Sequence, residues 1–197
     1  MTEKQIDRIK VKIDKYKKAL ALDKKQWGGY YHDGQGIRYI IPALYIQILD
    51  FKGCLRYFNW FNKNFPDDSC FPIFLFEWTF VLFKCNKRIE AENKLHLTFF
   101  SNTYLLDKFL GKELLDFDKN ESSAWEFKSL TEHFHYDKND LEFIDFANWV
   151  AEKLQTRVFL DKANRFVEIE QLLKSEPVGQ KRKNLVKELS KLKYGKM

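Results

Sequence analysis

Three observations predict an all-α fold. Apolar residues recur at steps of three and four along most of the 197 residues. No segment alternates apolar and polar residues with the period of two that a half-buried strand requires. The 8 Gly and 4 Pro gather at a few points and leave long stretches between them uninterrupted. A hydrophobic fraction of 45% with 19 Phe excludes a disordered chain and supplies a core.

The elements follow in order. Residues 4–22 form an amphipathic helix whose stripe is Ile6, Ile9, Ile13, Tyr16 and Leu20, with Thr2 as N-cap and a Lys-rich opposite face. Residues 27–36 (WGGYYHDGQG) hold four glycines and form a structured loop, because Trp27, Tyr30 and Tyr31 need something to pack on. Residues 37–49 form a buried helix in which Pro42 either sets the start near Ile41 or introduces a kink. A helix over 51–65 carries Phe51, Cys54, Leu55, Phe58 and Phe61 on one face, and FPDDSCFP follows it as a loop with Asp68 or Ser69 as the next cap. Residues 73–85 are apolar all round, and 88–101 carry Ile89, Leu95 and Phe99. The pattern then weakens. Short helices fit 104–110 and 123–131, the latter capped by Ser122 or Ser123, and Trp125, Phe127 and Leu130 are the side chains expected to hold this segment down. A helix over 139–155 starts from Asn139, with Leu141, Ile144, Ala147, Ala151 and Leu154 along one side. A helix over 158–174 buries Phe159, Ala163, Phe166, Val167, Glu170 and Leu173, and a last one over 180–194 has a thin stripe of Leu185, Leu189 and Leu192 with Val186 beside it.

Two segments repeat one order of events. In ALYIQILDFKGCLRYFNWFNKNFP (43–66) and EWTFVLFKCNKRIEAENKLHLTFF (77–100), an apolar helix ends in a polar turn, and a small residue follows inside a second helix. The small residues, Cys54 and Ala91, are 37 apart. The first segment has Asp50-Phe51 at the turn, Leu55 and Phe58 on spacing and Pro66 at the close; the second has Asn86 at the turn and Leu95 in place of the aromatic. This pattern resembles the tetratricopeptide repeat over about residues 37–103. Lys87-Arg88 departs from the hydrophobe the family prefers, and the spacing exceeds its usual ~34 residues by about three. The resemblance implies antiparallel helix pairs stacked as a short TPR-like α-solenoid with extra N- and C-terminal helices. One domain is expected over 1–197: the N-terminal helix and Gly-rich loop (1–36), the helix pairs (37–103), an acidic connection (104–138) and C-terminal helices (139–197).

Charge separates the ends from the middle. Residues 1–27 hold nine Lys/Arg and four Asp/Glu, and residues 174–197 hold eight and two. Against a total of +6, residues 28–173 therefore carry −5, with eleven acids and five bases in 107–145. A charge every few residues in Met1–Ala21 excludes a signal peptide there, and the most apolar run, 71–83, is about 13 residues with Glu77 inside it, too short to cross a bilayer. Cys54, Cys70 and Cys85 form no CxxC pair, so a disulfide framework is not expected. A cytoplasmic protein follows as the expectation.

No catalytic motif is present, so no enzyme is expected, and no cofactor. Gly34-Gln35-Gly36 lacks the third Gly of a dinucleotide loop and the Lys-Ser/Thr of a P-loop. His32-Asp33 stand beside no nucleophile motif, and His133 and His135, near Glu132 and Asp137, lack the further ligands a metal site needs. The resemblance implies that the first helix of each pair lines a concave groove, which nominates Tyr39, Ala43, Ile46, Gln47, Phe76, Phe80, Phe83 and Lys84 as partner-binding residues. The same side chains read as core if the terminal helices cover them. The function expected is a non-enzymatic module that binds a protein or peptide partner. Two alternatives stay open: a nucleic-acid-associated factor using the basic ends, and an immunity-type inhibitor whose acidic surface meets a basic toxin. Nucleic acid is disfavoured, since only seven of the 34 basic residues are Arg and the Leu stripe of KRKNLVKELSKLKYGK points to a helix docked on the protein.

Overall fold

The helix α1 (Glu3–Gln26) starts at a capping box: the Gln5 backbone N–H donates to Thr2 Oγ1 at 3.4 Å, and the Thr2 N–H donates to Gln5 Oε1 at 2.8 Å. The computed structural model describes residues 1–195, and Lys196, counted in the basic C-terminal segment, lies outside them. The chain is all-α, with no strand among the described residues. It divides into two compact units, Met1–Arg88 and Ile89–Met197, with the division inside the second of the two repeating segments.

In the first unit, every residue of the α1 stripe is buried or half-buried, and α1 packs on α2 (Ile37–Gln47). The intervening loop is held by carboxylates. Asp23 Oδ2 accepts the N–H groups of His32 and Asp33 at 2.8 and 3.1 Å, and buried Asp33 accepts those of Ile37 and Arg38 at 2.9 and 3.1 Å, which starts α2. Gly28 and Gly29 turn the chain at φ of 63° and 101°, left-handed conformations that only glycine adopts freely.

Pro42 lies within α2 and cannot donate to the Arg38 carbonyl four residues back. Tyr57 supplies the missing donor from α3 (Phe51–Asn64): its hydroxyl donates to the Arg38 carbonyl at 2.8 Å. Cys54, fully buried, sits against α2 with Sγ 3.8 Å from the Pro42 carbonyl. Rings fill the space between α3 and α4 (Pro72–Lys84): Phe58 stacks on Trp78 at 4.7 Å and 8°, and Phe61 meets Phe74 at 4.6 Å. The α4 cap is Phe71 with Pro72 at the first helical position. The capping expected of Asp68 is absent because that carboxylate accepts instead from Cys70 N, Arg38 Nε and the Tyr39 hydroxyl.

The ends of α2 and α4 share one geometry. Leu49 and Asn86 sit at φ of 58° and 57°. Leu49 N donates to Ile46 O at 2.9 Å and Asp50 N to Tyr45 O at 3.0 Å; Asn86 N donates to Phe83 O at 3.0 Å and Lys87 N to Leu82 O at 2.9 Å. The last residues, Gln47 and Lys84, and the first residues that follow, Phe51 and Arg88, are each 37 apart.

The second unit contains α5 (Arg88–Ser101) from Ile89 onward, α6 (Leu105–Phe109), two 3-10 turns (Ala124–Glu126 and Lys128–His133), α7 (Ile144–Leu154), α8 (Arg157–Ser175) and α9 (Gln180–Tyr194). Ser123 caps the first 3-10 turn through Trp125 N. Leu130 is buried, whereas the rings of Trp125 and Phe127 are exposed; what holds this stretch is Asn102, whose Nδ2 donates to the Trp125 and Phe127 carbonyls at 2.8 and 3.1 Å. The α7 helix starts five residues later than its periodicity predicts. Asn139 turns back to Asp137, Leu141 is 86% exposed, and the buried side is Phe143, Phe146, Ala147, Val150 and Leu154. Thr156 caps α8, and Leu185 of α9 joins Ile169 and Leu173 of α8 in a small core flanked by Leu189 and Leu192. No helix among the described residues is long and apolar enough to cross a membrane.

Candidate functional site

The residues nominated for a groove separate into core and surface. Ile46 of α2 is buried, and so are Phe76, Phe80 and Phe83, the first two completely, because α4 is buried on nearly every face. They present no exposed aromatic groove, which corrects that part of the expectation. Tyr39 is half-buried; its hydroxyl donates to Asp68, 2.6 Å away, under the Arg38 guanidinium. Burial and then Asp68 push that hydroxyl above its ordinary pKa. Ala43 is half-buried, as is Lys84, whose Nζ lies 5.5 Å from the Phe51 ring centre, and Gln47 alone of the set is exposed.

A different cleft, of about 340 Å³, opens between α1, the 27–36 loop, α2 and α3. Gly53, Arg56, Tyr57 and Trp60 line it from α3, and their three- and four-residue steps put them on one helix face. Gly53 makes the floor: a Cβ there would lie 2.7 Å from Tyr45 Cε1 and 2.1 Å from Asp50 Oδ2, the oxygens of which cap α3. Absence of a side chain thus admits both the Tyr45 ring and the cap. The Trp60 ring lies 5.2 Å from that of Tyr57 and meets the edge of Tyr31 at 5.8 Å.

The polar atoms here are donors. Lys17 Nζ donates to the Tyr45 hydroxyl at 2.5 Å, so this hydroxyl keeps its own proton to give. Arg56 is exposed and makes no hydrogen bond or ion pair among the described residues. Among the described residues no Asp or Glu lines the cleft. Burial raises the Tyr57 hydroxyl, and burial followed by the Asp23 charge raises that of Tyr31, so both stay protonated at neutral pH. Flat rings beside the uncommitted donors of Arg56 and the Tyr45 hydroxyl suit an apolar or aromatic group that carries a carboxylate, the Tyr57 hydroxyl being spent on the Arg38 carbonyl and that of Tyr31 on Asn64.

Sequence reasoning passed over Arg56, Tyr57 and Trp60 because they lie off the α3 apolar stripe. The available signals were a Gly inside a helix and two large rings on its supposedly polar side. His133 and His135 are exposed, and no group of three or more His, Cys, Asp or Glu is placed to hold a metal among the described residues. In the basic segment, Arg182 donates to the Leu173 and Glu176 carbonyls at 2.7 and 2.8 Å, closing the end of α8. Comparison with family models, with curated proteins and with solved structures finds no match.

Proposed function

We propose that this chain is a non-enzymatic interaction module that holds a protein or peptide partner, and that the α1–α2–α3 cleft receives the partner's anchor. The observation that carries this reading is the set of rings from Tyr45, Tyr57 and Trp60 beside Arg56, which has no counter-charge among the described residues. Trp, Tyr and Arg are the side chains most often found at the energetic centre of protein interfaces. The recurrence of one turn geometry at a step of 37 residues supports a tetratricopeptide-like arrangement as the scaffold. A partner segment with an aromatic or aliphatic anchor next to Asp or Glu satisfies both halves of the cleft. The nine basic residues among 1–27 add a long-range attraction for such a segment.

Selection from a random peptide display library, followed by calorimetry, tests this. The expected enrichment is in acidic peptides with one bulky apolar anchor. Trp60→Ala, checked for intact helicity, should weaken the selected peptide by roughly 30-fold, the effect of losing about 2 kcal/mol at a hot spot. Enrichment without any acidic or apolar preference, or binding indifferent to Trp60→Ala and Arg56→Glu, overturns the reading.

A further inference from the structure

The second unit carries a cleft of its own, of about 670 Å³, between α5, α8 and α9. Its volume falls within the range of small-molecule sites. Three lysines line it: Lys162 from α8, and Lys191 and Lys193 from α9. Lys162 and Lys191 make no hydrogen bond or ion pair among the described residues, and Lys193 lies 5.2 Å from the Phe166 ring centre. The one carboxylate in the lining among the described residues, Glu188, is already claimed. Arg165 grips both of its oxygens, Nε to Oε1 and Nη2 to Oε2, each at 2.7 Å. Three like charges are thus gathered in one concave place whose lining carboxylate is gripped by Arg165; Lys191 also acts on Glu188 and Lys193 on buried Glu170, and the remaining excess of positive charge raises the potential inside the cleft.

His96 forms part of the wall from α5 and is more than nine-tenths buried. Its Nδ1 lies 2.8 Å from the Glu92 carbonyl, which only accepts, so Nδ1 carries the proton. Its Nε2 lone pair has no partner among the described residues. The ring packs 5.0 Å from Phe159. Burial chiefly lowers its proton affinity; the hydrogen bond to the Glu92 carbonyl opposes this next, and the Lys162 charge lowers it further. The groups that face it are Glu92 on its own helix, Lys162 on α8, and Glu188, Lys191, Lys193 and Tyr194 on α9.

We propose that this cleft binds a small phosphate-bearing molecule, with Lys162, Lys191 and Lys193 as its phosphate contacts. Lysine ammoniums are compact charges with three donors each, and several of them suit the many oxygens and multiple charge of a phosphate better than the single charge of a carboxylate. The site lies wholly within the second unit and is independent of the peptide cleft of the first.

Titration of the full chain with pyrophosphate, followed by calorimetry and by the His96 imidazole resonances, tests the proposal. Saturable binding with a Kd of about 1 mM or tighter is expected. The His96 titration midpoint should rise on binding, because the anion offsets the field of Lys162. Lys162→Glu with Lys191→Glu should weaken binding about tenfold or more, and the milder Lys162→Gln with Lys191→Gln should weaken it less. Lys187→Glu, on α9 but outside the cleft, should change it less than about twofold. Absence of saturation, equal damage from Lys187→Glu, an unmoved His96, or tighter binding of a 12-nucleotide single strand than of pyrophosphate overturns the proposal.

Discussion

In the first unit, Phe58, Phe61, Phe74, Phe76 and Phe80 are each 1% exposed or less, and among the described residues Asp33, Glu77 and Thr79 are the polar side chains buried with them. The second unit buries rings too, but beside them it buries Thr98, Asn102, Thr103, Lys119, Thr131 and Glu170. Most polar rescues of the first unit sit in its loops, where Asp23, Asp33 and Asp68 accept backbone N–H groups beside the helix ends. A connection such as 110–143, with only two 3-10 turns, leaves backbone groups that must find partners one at a time. Lys119 shows the style of solution: its ammonium pairs with Glu121 at 2.6 Å, and Glu121 also accepts from the Tyr104 hydroxyl at 3.0 Å. Burial and Glu121 push that hydroxyl up to about 12. The first unit is therefore sensitive to volume, and the second to chemistry.

The largest effect that can break this comparison is Phe58→Ala. It empties a place stacked against Trp78 and edge-on to Phe74, and should cost about 3–5 kcal/mol in denaturant unfolding. Asn102→Leu keeps the size but removes both donors to the Trp125 and Phe127 carbonyls and the acceptor for Tyr104 N. Its expected cost is about 2–3 kcal/mol, with hydrogen exchange accelerating in residues 104 and 120–131. If Asn102→Leu is neutral, the second unit reads volume after all.

Tyr57→Phe comes next. It strips the Arg38 carbonyl of its donor while Pro42 offers none, at an expected cost of about 1 kcal/mol. Pro42→Ala restores an N–H four residues on, so the double variant Pro42→Ala/Tyr57→Phe should recover most of that loss in a double-mutant cycle.

The smallest effect concerns pH. Burial raises the Glu170 carboxyl above its ordinary 4.5, against weaker opposing help from Lys193 and Asn120. The folded state then holds this proton at pH values where the unfolded chain has released it. Stability from this group falls as pH rises through that window and stays lower above it. Glu170→Gln, which keeps an oxygen for Asn120, should raise Tm at pH 7, with the difference shrinking as pH falls towards 4.5. A lower Tm at pH 7 contradicts it.

Much of the fold was legible in residue spacing. The α1 stripe, the α8 stripe and the Leu stripe of α9 all face inward. The α1 helix outlasts its stripe because Ala21 to Gln26 contains no helix breaker before Gly28. The start of α7 was misread since Leu141 happens to fall in phase with Ile144, while Phe143 and Phe146 are the rings that dock. The 110–143 segment was opaque because its order depends on individual bonds, such as those of Asn102, that leave no periodic trace. Only the tetratricopeptide resemblance places the α4 phenylalanines in a groove, because an all-apolar helix gives no phase from which to tell its faces apart. The cleft with Trp60 was invisible since its walls come from four elements, and only Gly53 inside α3 hinted at a close approach.

On the proposed function, the first unit meets its partner through Tyr45, Arg56, Tyr57 and Trp60. Amide and indole chemical-shift mapping with an acidic peptide bearing one aromatic anchor tests it most directly. Binding in this cleft should concentrate the shifts at Ala21, Gly53, Arg56 and the Trp60 indole, and Arg56→Glu should abolish them. Saturable binding whose shifts fall elsewhere, or no shifts at millimolar peptide, contradicts it.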